Sequence, residues 1–232
     1  MPLAEPLRVT LLLTEVLTTL GVPYPVGGSI ANSLHGIPRA TQDVDLVAAL
    51  TESHVETFAG LLEATFYLDR DAIRDAIRRR ASFNIIHLLT MLKLDVFVAQ
   101  ADAWSRAEFE RACPISLPGG GSLIIARAED TILHKLRWFE LGGGIFERQS
   151  WRRSPPSSAA RVEQRSGETP LLHSSARPVR NALPTRRASS GWNDVLGVLK
   201  VCSGLDEEYL EKWASKLRLD ELLRKAREES GC

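Results

Sequence analysis

The spacing of hydrophobic residues along the chain predicts helices that alternate with strands. Residues 7–20 are largely apolar but are interrupted by Glu15 and several threonines, which is typical of an amphipathic helix. Residues 81–87 predict a strand, and residues 92–99 alternate apolar and polar side chains as a strand does. Helical spacing predicts further helices over residues 52–64, 69–80, 127–140, 192–200 and 207–229.

A glycine turn and a short helix follow the first of these helices. Residues 24–26 are apolar and predict a short strand that ends at Gly27 and Gly28. Ser29 then begins a helical segment, which Gly36 ends as a C-terminal glycine. A helix N-terminus offers free backbone N–H groups and the positive end of a dipole, and glycines let the backbone approach a ligand closely. The run therefore suits a phosphate group.

The next strand carries two carboxylates. Side chains alternate along a strand, so Asp43 and Asp45 share one face while Val44 and Leu46 point into the core. Neighbouring carboxylates repel each other and are costly to desolvate unless a cation lies between them, and Mg²⁺ is the simplest such cation. An isolated Asp-x-Asp pair usually caps a turn or faces solvent, so the glycine turn and the helix before it carry this interpretation.

A third aspartate, Asp95, lies in the middle of the strand expected over residues 92–99, on the same face as Lys93. Two interpretations are open. Asp95 forms a salt bridge with Lys93 or a nearby arginine, or it lies beside Asp43 and Asp45 as the third carboxylate of a two-metal site.

Composition restricts the classes of function. The 232 residues carry no formal net charge, which argues against an obligate electrostatic binder of nucleic acid or membranes. We expect no transmembrane segment and a cytoplasmic location. Cys113, Cys202 and Cys232 lack the spacing of metal ligands, and we interpret them as reduced, incidental thiols.

An unusual segment covers residues 150–191. It contains eight arginines, no lysine and only the two acids Glu163 and Glu168, and we expect it to be disordered. It divides what otherwise reads as one element, from 147–149 to 192–195, so we favour an insertion. A reading-frame artefact and an arginine-rich arm for RNA are the alternatives. The expected organisation is a core over residues 1–149, this insertion, and C-terminal helices over 192–232 that complete the core.

These motifs together resemble a known family. The Gly-Gly-Ser run at 27–29, His35-Gly36 and the Arg-x-Thr-x-Asp-x-Asp run at 39–45 resemble the signature of minimal nucleotidyltransferases of the DNA polymerase beta superfamily. Within it, the chain is most similar to the AbiEii-type toxin nucleotidyltransferases, through Lys93-Leu94-Asp95, the acid-then-lysine helix at 130–135 and the late Asp194. The resemblance covers residues 20–149 and 192–215.

The resemblance implies an α/β (α+β) nucleotidyltransferase fold, with a small mixed sheet flanked by helices and a C-terminal helical part. It implies transfer of a nucleoside monophosphate from a nucleoside triphosphate to a hydroxyl, at an RNA 3′ end such as that of a transfer RNA or on a protein. Asp43 and Asp45 would hold two Mg²⁺ ions, and Asp95 would complete the site and help to deprotonate the acceptor. Asp194 would orient neighbouring groups. The nucleotide would contact Gly27, Gly28, Ser29, Arg39, Lys93 and Lys135.

Other functions remain open at this level. The resemblance includes a role as the toxin of a toxin–antitoxin pair, with an antitoxin partner. One rival is a catalytically silent nucleotide-binding or antitoxin-like interaction module that keeps the fold. Another is an RNA-binding protein that acts through residues 150–191.

Overall fold

The computed structural model describes residues 4–37, 43–118, 120–141 and 186–231, and of Asp43 and residues 186–190 it describes the backbone alone. Arg39 and Cys232 lie outside the described residues. The segment expected to be disordered also lies outside them, except for residues 186–191, which begin a helix.

A mixed sheet of four strands forms the centre of the first part of the chain. Its order is β1-β4-β3-β2, with β1 parallel to β4 and the other neighbours antiparallel. The parallel pair joins strands that are distant in sequence, and it sets Asp45 opposite Asp95. The strands are β1 (Asp43–Ala48), β2 (Phe66–Tyr67), β3 (Ser82–His87) and β4 (Lys93–Val98).

One face of this sheet is covered by helices, because alternate residues of every strand are apolar. Val44, Leu46, Leu94 and Val96 are completely buried there, and Phe58 meets Phe83 edge to face. The amphipathic first helix expected over 7–20 is confirmed, and Asp69 caps the charged helix with bonds to two backbone N–H groups. The covering helices are α1 (Glu5–Thr19), α3 (Val55–Leu62, after a 3₁₀ turn at Glu52–His54) and α4 (Arg70–Arg79).

A hairpin extends the sheet beyond β1. It consists of two antiparallel strands, β5 (Cys113–Ser116) and β6 (Ser122–Ile125). The strand β5 is short and contains Pro114, so the local sequence pattern does not indicate a strand there. Val26 bridges both Leu46 and Ile125, so the segment before the glycine turn links β6 to β1.

The C-terminal part is helical and has its own core. Trp104, Leu133, Val198 and Leu210 belong to this second apolar cluster. The helix expected over 207–229 is divided in two, because Arg218 adopts a left-handed conformation and Leu219 turns inward to be fully buried. The helices are α5 (Ala103–Arg111), α6 (Ala128–Glu140), α7 (Arg186–Val201), α8 (Glu207–Leu217) and α9 (Asp220–Ser230).

The short helix α2 (Gly28–His35) lies between the two parts. The His35 ring is 2.8 Å from the carbonyl oxygen of Ala126, where β6 leads into α6. The expected fold class is therefore confirmed as a small mixed sheet flanked by helices. Within the described ranges no helix is long and apolar enough to cross a membrane, and Cys113 and Cys202 are free thiols.

Candidate active site

Two aspartates lie side by side on the face of the sheet opposite to the described helices α1, α3 and α4. Asp45 and Asp95 occupy paired positions on β1 and β4, and neighbouring strands are about 4.8 Å apart. Both are partly exposed, whereas the residues before and after each of them are buried. Asp43 lies two residues before Asp45 at the position paired with Lys93, and its side chain is outside the described set. The structure thus brings Asp45 and Asp95 together, as the two-metal interpretation requires.

Lys93 forms a salt bridge with Asp95 on the same face. Its ammonium nitrogen lies 2.8 Å from an Asp95 oxygen, and the two side chains are 29% and 19% exposed. The first interpretation of Asp95, a salt bridge with Lys93, is therefore confirmed, and the two-metal site stays a hypothesis.

Gly28 is packed directly against Asp45. An ideal Cβ built on Gly28 would lie 1.9 Å from the Asp45 Oδ2 atom and 2.6 Å from its Cβ and Cγ atoms. Gly28 also has a φ of +53°, which side chains other than hydrogen rarely tolerate. A Cβ atom built on Gly27 would have no other atom within 4 Å, and the Gly27 N–H donates to the Asp45 carbonyl oxygen at 3.0 Å. Glycine is therefore required at position 28 by two independent constraints.

The N-terminus of α2 consequently lies beside the Asp45 carboxylate. Gly28 and Ser29 begin the helix, and a helix N-terminus carries the positive end of the helix dipole. The Ser29 side chain is buried. At the other end, the chain at Gly36 packs closely on the backbone of Val198, which anchors α2 against α7. A fixed helix N-terminus and a carboxylate therefore share one edge of the open face.

Lys135 is held by Asp194. The lysine ammonium donates to an Asp194 oxygen at 2.6 Å, and both side chains are mostly buried between α6 and α7. The family resemblance assigns Lys135 to the nucleotide and gives Asp194 an orienting role. The structure brings these two residues together as one ion pair.

The oxygen ligands on this face suit a hard divalent cation. Among the described side chains, no group of three or more His, Cys, Asp or Glu residues forms a metal cage. Mg²⁺ is, however, commonly bound through one or two carboxylates together with substrate phosphates, rather than by a cage made only of protein. Asp45 and Asp95 provide such a pair, with the N-terminus of α2 beside them for a phosphate.

Sequence reasoning missed one polar neighbour of this pair. Asn84 on β3 is paired with Asp95, so Asp45, Asp95 and Asn84 form a continuous row across three strands, which we call the acid row. The alternation within residues 81–87 places Asn84 on the less buried face. Only the order of the strands, which the local pattern does not contain, places it beside Asp95.

A second polar cluster lies inside the helical part. Asp130 is completely buried and accepts hydrogen bonds from the Tyr209 hydroxyl at 2.7 Å and from the Trp104 indole at 3.2 Å. Burial raises the pKa of Asp130 to about 6, although the Tyr209 bond opposes the shift. Nearby, the His134 ring is 2.8 Å from a Glu108 carboxylate oxygen. Burial disfavours the charged ring, but the Glu108 carboxylate outweighs it and raises the pKa of His134. This cluster joins α5, α6 and α8.

Two recesses in the described part of the chain lie away from the acid row. One of about 310 Å³ lies between α1 and α3, and one of about 530 Å³ lies beside the end of α7. Neither is lined by a residue of the acid row or by the glycine turn. The side chains of Asp45, Asp95 and Asn84 are all partly exposed.

Comparison with family models finds no match, and comparison with curated proteins finds none either. Solved structures similar to this chain include an antigenic nucleotidyltransferase-like protein from Paracoccidioides brasiliensis, with 14% identity, a TM-score of 0.49, and coverage of 97% of this chain and 94% of that one. A Thermotoga maritima protein with a provisional nucleotidyltransferase name has 13% identity, a TM-score of 0.43 and coverage of 66% and 97%. The antibiotic-resistance factor ANT(2'')-Ia has 15% identity, a TM-score of 0.37 and coverage of 60% and 75%.

Proposed function

We propose that this protein is a metal-dependent nucleotidyltransferase, which moves a nucleoside monophosphate from a nucleoside triphosphate to a hydroxyl acceptor. The observation that carries the proposal is the position of Asp45, which lies beside Asp95 on one side and against Gly28 on the other. A pair of oxygen ligands next to a helix N-terminus provides both features that a metal-bound triphosphate requires.

The triphosphate would bind on the α2 side of Asp45. Backbone N–H groups at Gly28 and Ser29 would donate to phosphate oxygens, and the absence of a side chain at Gly27 leaves space for their approach. Lys93 and Lys135 would reach the nucleotide by exchanging a carboxylate partner for a phosphate. Arg39, outside the described residues, is a further nucleotide contact in this proposal.

Asp45 and Asp95, together with Asp43, would hold the divalent metal, for which we propose two Mg²⁺ ions. When bound, Mg²⁺ supplies positive charge that activates an acceptor hydroxyl and neutralises the leaving pyrophosphate. The contribution of the chain is to fix these carboxylates on a rigid sheet, so that the reacting groups meet in one geometry.

The chemical step is a substitution at the α-phosphorus atom. The acceptor oxygen forms a bond to this phosphorus while the bond to the bridging oxygen breaks, and pyrophosphate leaves with that electron pair. The proton of the acceptor hydroxyl passes to the Asp95 carboxylate. Asp95 is suited to this role because it lies one strand farther from the N-terminus of α2 than Asp45 does.

The substitution Asp45→Asn tests the proposal, because it keeps the size of the side chain and removes its charge. We expect nucleotide transfer to fall by at least about 100-fold and Mg–nucleotide binding to weaken, measured with α-labelled triphosphates and by calorimetry. Asp71→Asn is the matched control, since Asp71 is an exposed residue of α4, which packs on the opposite face of the sheet. Undiminished transfer by Asp45→Asn would refute the assignment.

One observation favours a second candidate function, nucleotide binding without turnover. The salt bridge between Lys93 and Asp95 places a protein cation on a proposed catalytic carboxylate, as a silent relative of such an enzyme would do. Calorimetry with Mg–nucleotide followed by a turnover assay separates the two. Binding that depends on Asp45 but yields no pyrophosphate would identify the silent module.

The proposal extends to a toxin whose transfer reaction an antitoxin partner would suppress, with an RNA 3′ end or a protein hydroxyl as the acceptor. Induced expression in a bacterial host tests this role. We expect growth arrest with the natural chain and normal growth with Asp45→Asn. Equal growth in both cultures would contradict the toxin role and would leave the transferase proposal intact.

A further inference from the structure

We infer that Asn84 and Phe97 form the acceptor subsite, and that the acceptor hydroxyl is carried by a sugar ring. This inference rests on the proposed nucleotidyl transfer and deepens it. Neither residue has a role in that proposal, yet both lie on the same open face as Asp45 and Asp95.

The order of the strands gives the site a direction. Gly28 and the N-terminus of α2 lie on the β1 side of the acid row, and β3 lies on the other side of β4. If the triphosphate occupies the α2 side, an in-line attack brings the acceptor from the opposite side of the α-phosphorus atom. Groups on the β3 side of Asp95 therefore face the acceptor and not the pyrophosphate.

Asn84 is the polar group nearest to Asp95 in that direction. Residues paired across antiparallel strands have Cα atoms about 4.5–5.5 Å apart, and Asn84 is paired with Asp95. A carboxamide offers both a donor and an acceptor, but it neither takes up a proton nor carries charge. Beside a carboxylate that receives the proton of one hydroxyl, it is suited to bind a neighbouring hydroxyl of the same molecule.

Phe97 supplies an apolar surface next to this polar pair. It lies two residues beyond Asp95 on β4, on the same face, and the structure leaves it 43% exposed. Its neighbours across the sheet are Val47 and Ser82, so the row next to the acid row is largely apolar. One step of two residues along a strand is about 7 Å, which places the ring within reach of a molecule whose hydroxyl lies at Asp95.

Together these groups match the two kinds of surface that a sugar ring presents. Its C–H face packs on an aromatic ring, and its adjacent hydroxyls would meet Asp95 and Asn84. A serine, threonine or tyrosine hydroxyl of a protein has no adjacent second hydroxyl for Asn84 to bind. The ring could belong to the terminal ribose of an RNA or to a free glycoside, which share this chemistry.

The test combines defined acceptors with substitutions on this face. Acceptors are a short single-stranded RNA with a 2′,3′-diol, the same RNA with a terminal 2′-deoxyribose, a panel of free glycosides, and a protein with exposed serine, threonine and tyrosine side chains. We expect Phe97→Ala and Asn84→Ala to raise the acceptor KM at least tenfold, with the nucleotide KM unchanged within twofold. Phe97→Tyr keeps the aromatic face, so its acceptor KM should equal that of the natural chain. Leu89→Ala, at the exposed turn between β3 and β4, is the control.

Each result decides one point. Labelling of the diol RNA but not of the deoxy form assigns the ring to RNA, and labelling of a glycoside assigns it to a free sugar. Three results would overturn the subsite without contradicting nucleotide binding. They are labelling of the protein, an acceptor KM that is unchanged in Phe97→Ala and Asn84→Ala, and the absence of any labelled acceptor while Mg–nucleotide binding depends on Asp45. A natural chain that binds no Mg–nucleotide refutes the proposed function itself, and this inference with it.

Discussion

Gly28 determines the position of Asp45 by having no side chain. Any larger residue would bring a Cβ atom within bonding distance of the Asp45 carboxylate, in a left-handed backbone conformation that already disfavours side chains. The motif interpretation attributes the glycines to close approach of a ligand. The structure adds a tighter constraint, which is the approach of a carboxylate within the protein.

We expect Gly28→Ala to lower the free energy of unfolding by about 1–3 kcal/mol and to abolish Mg–nucleotide binding, because Asp45 must move. Urea denaturation and calorimetry measure the two effects. Gly60→Ala is the matched control, since Gly60 is an exposed position of α3 with open space around it, and we expect it to change stability by less than about 1 kcal/mol. Full binding by Gly28→Ala would show that Asp45 is not held in this way.

Lys93 gives a second prediction at the scale of single residues. Lys93→Met removes the ammonium group that lies 2.8 Å from Asp95, so repulsion between Asp95 and Asp45 increases. We expect a lower Tm without metal and a larger gain in Tm on addition of Mg²⁺ than the natural chain shows. Lys225→Met removes an exposed lysine of α9 and should change neither value noticeably. Equal Mg²⁺ gains in Lys93→Met and the natural chain would contradict a metal site at Asp95.

Helices and strands with a clear pattern were predictable, and those held by polar contacts were not. α5 has no apolar stripe because its buried face includes Ser105 and Glu108, and the carboxylate of Glu108 is satisfied by His134 on α6. β2 has only two residues, which is too short for any periodicity. The expected helices over 7–20 and 127–140 were found because their apolar positions repeat at helical spacing, as local pattern alone can show.

The buried Asp130 makes stability depend on pH at the level of the α5–α6–α8 contact. Its pKa is raised to about 6 in the folded protein, so the folded state binds the proton more tightly than the unfolded chain does. The stabilisation from this proton is complete below the unfolded pKa of about 3.9, and it is lost as the pH rises through 6. The raised pKa of His134 acts in the same direction above about 6.5.

We therefore expect the free energy of unfolding of Asp130→Asn to increase relative to that of the natural chain, by roughly 2–3 kcal/mol, between pH 4 and pH 6.5. Asparagine cannot ionise and still accepts the bonds from Tyr209 and Trp104. Urea denaturation at a series of pH values measures the difference, and Asp102→Asn, at the N-cap of α5, controls for loss of an ordinary carboxylate. A difference that does not vary with pH would show that Asp130 ionises normally.

At the scale of the whole molecule, the order of the strands could not be obtained from the sequence. The pairing of β1 with β4 joins two strands that are distant in sequence, and this pairing brings Asp45 to Asp95. The individual residues of the candidate site could be predicted from the alternation within each strand and from a family resemblance. Its extension to Asn84 required the observed sheet, because pairing between distant segments leaves no mark on local periodicity.

The arginine-rich segment gives a prediction at the same scale. We expect replacement of residues 150–185 by a short glycine–serine linker to leave the Tm within about 3 °C of that of the natural chain and to leave Mg–nucleotide binding unchanged, since loop length affects stability only weakly. α6 and α7 pack on each other, and the Phe139 and Trp192 rings lie 5.0 Å apart, so the two helices have their own contact. A loss of RNA affinity in the shortened chain would favour the RNA-binding arm over an insertion.

The parallel pairing of β1 with β4 ties the chemistry to the architecture. A register shift of β4 by one residue would place the side chains of Lys93, Asp95 and Phe97 in the apolar core. It would expose the side chains of Leu94 and Val96 to solvent. A shifted register would therefore destabilise the folded state in two ways, because charged groups would be buried without solvation and apolar side chains would be exposed to water. The polar residues of the proposed nucleotide site therefore also disfavour an incorrect strand register during folding. A chain that folds should consequently have its carboxylates correctly aligned.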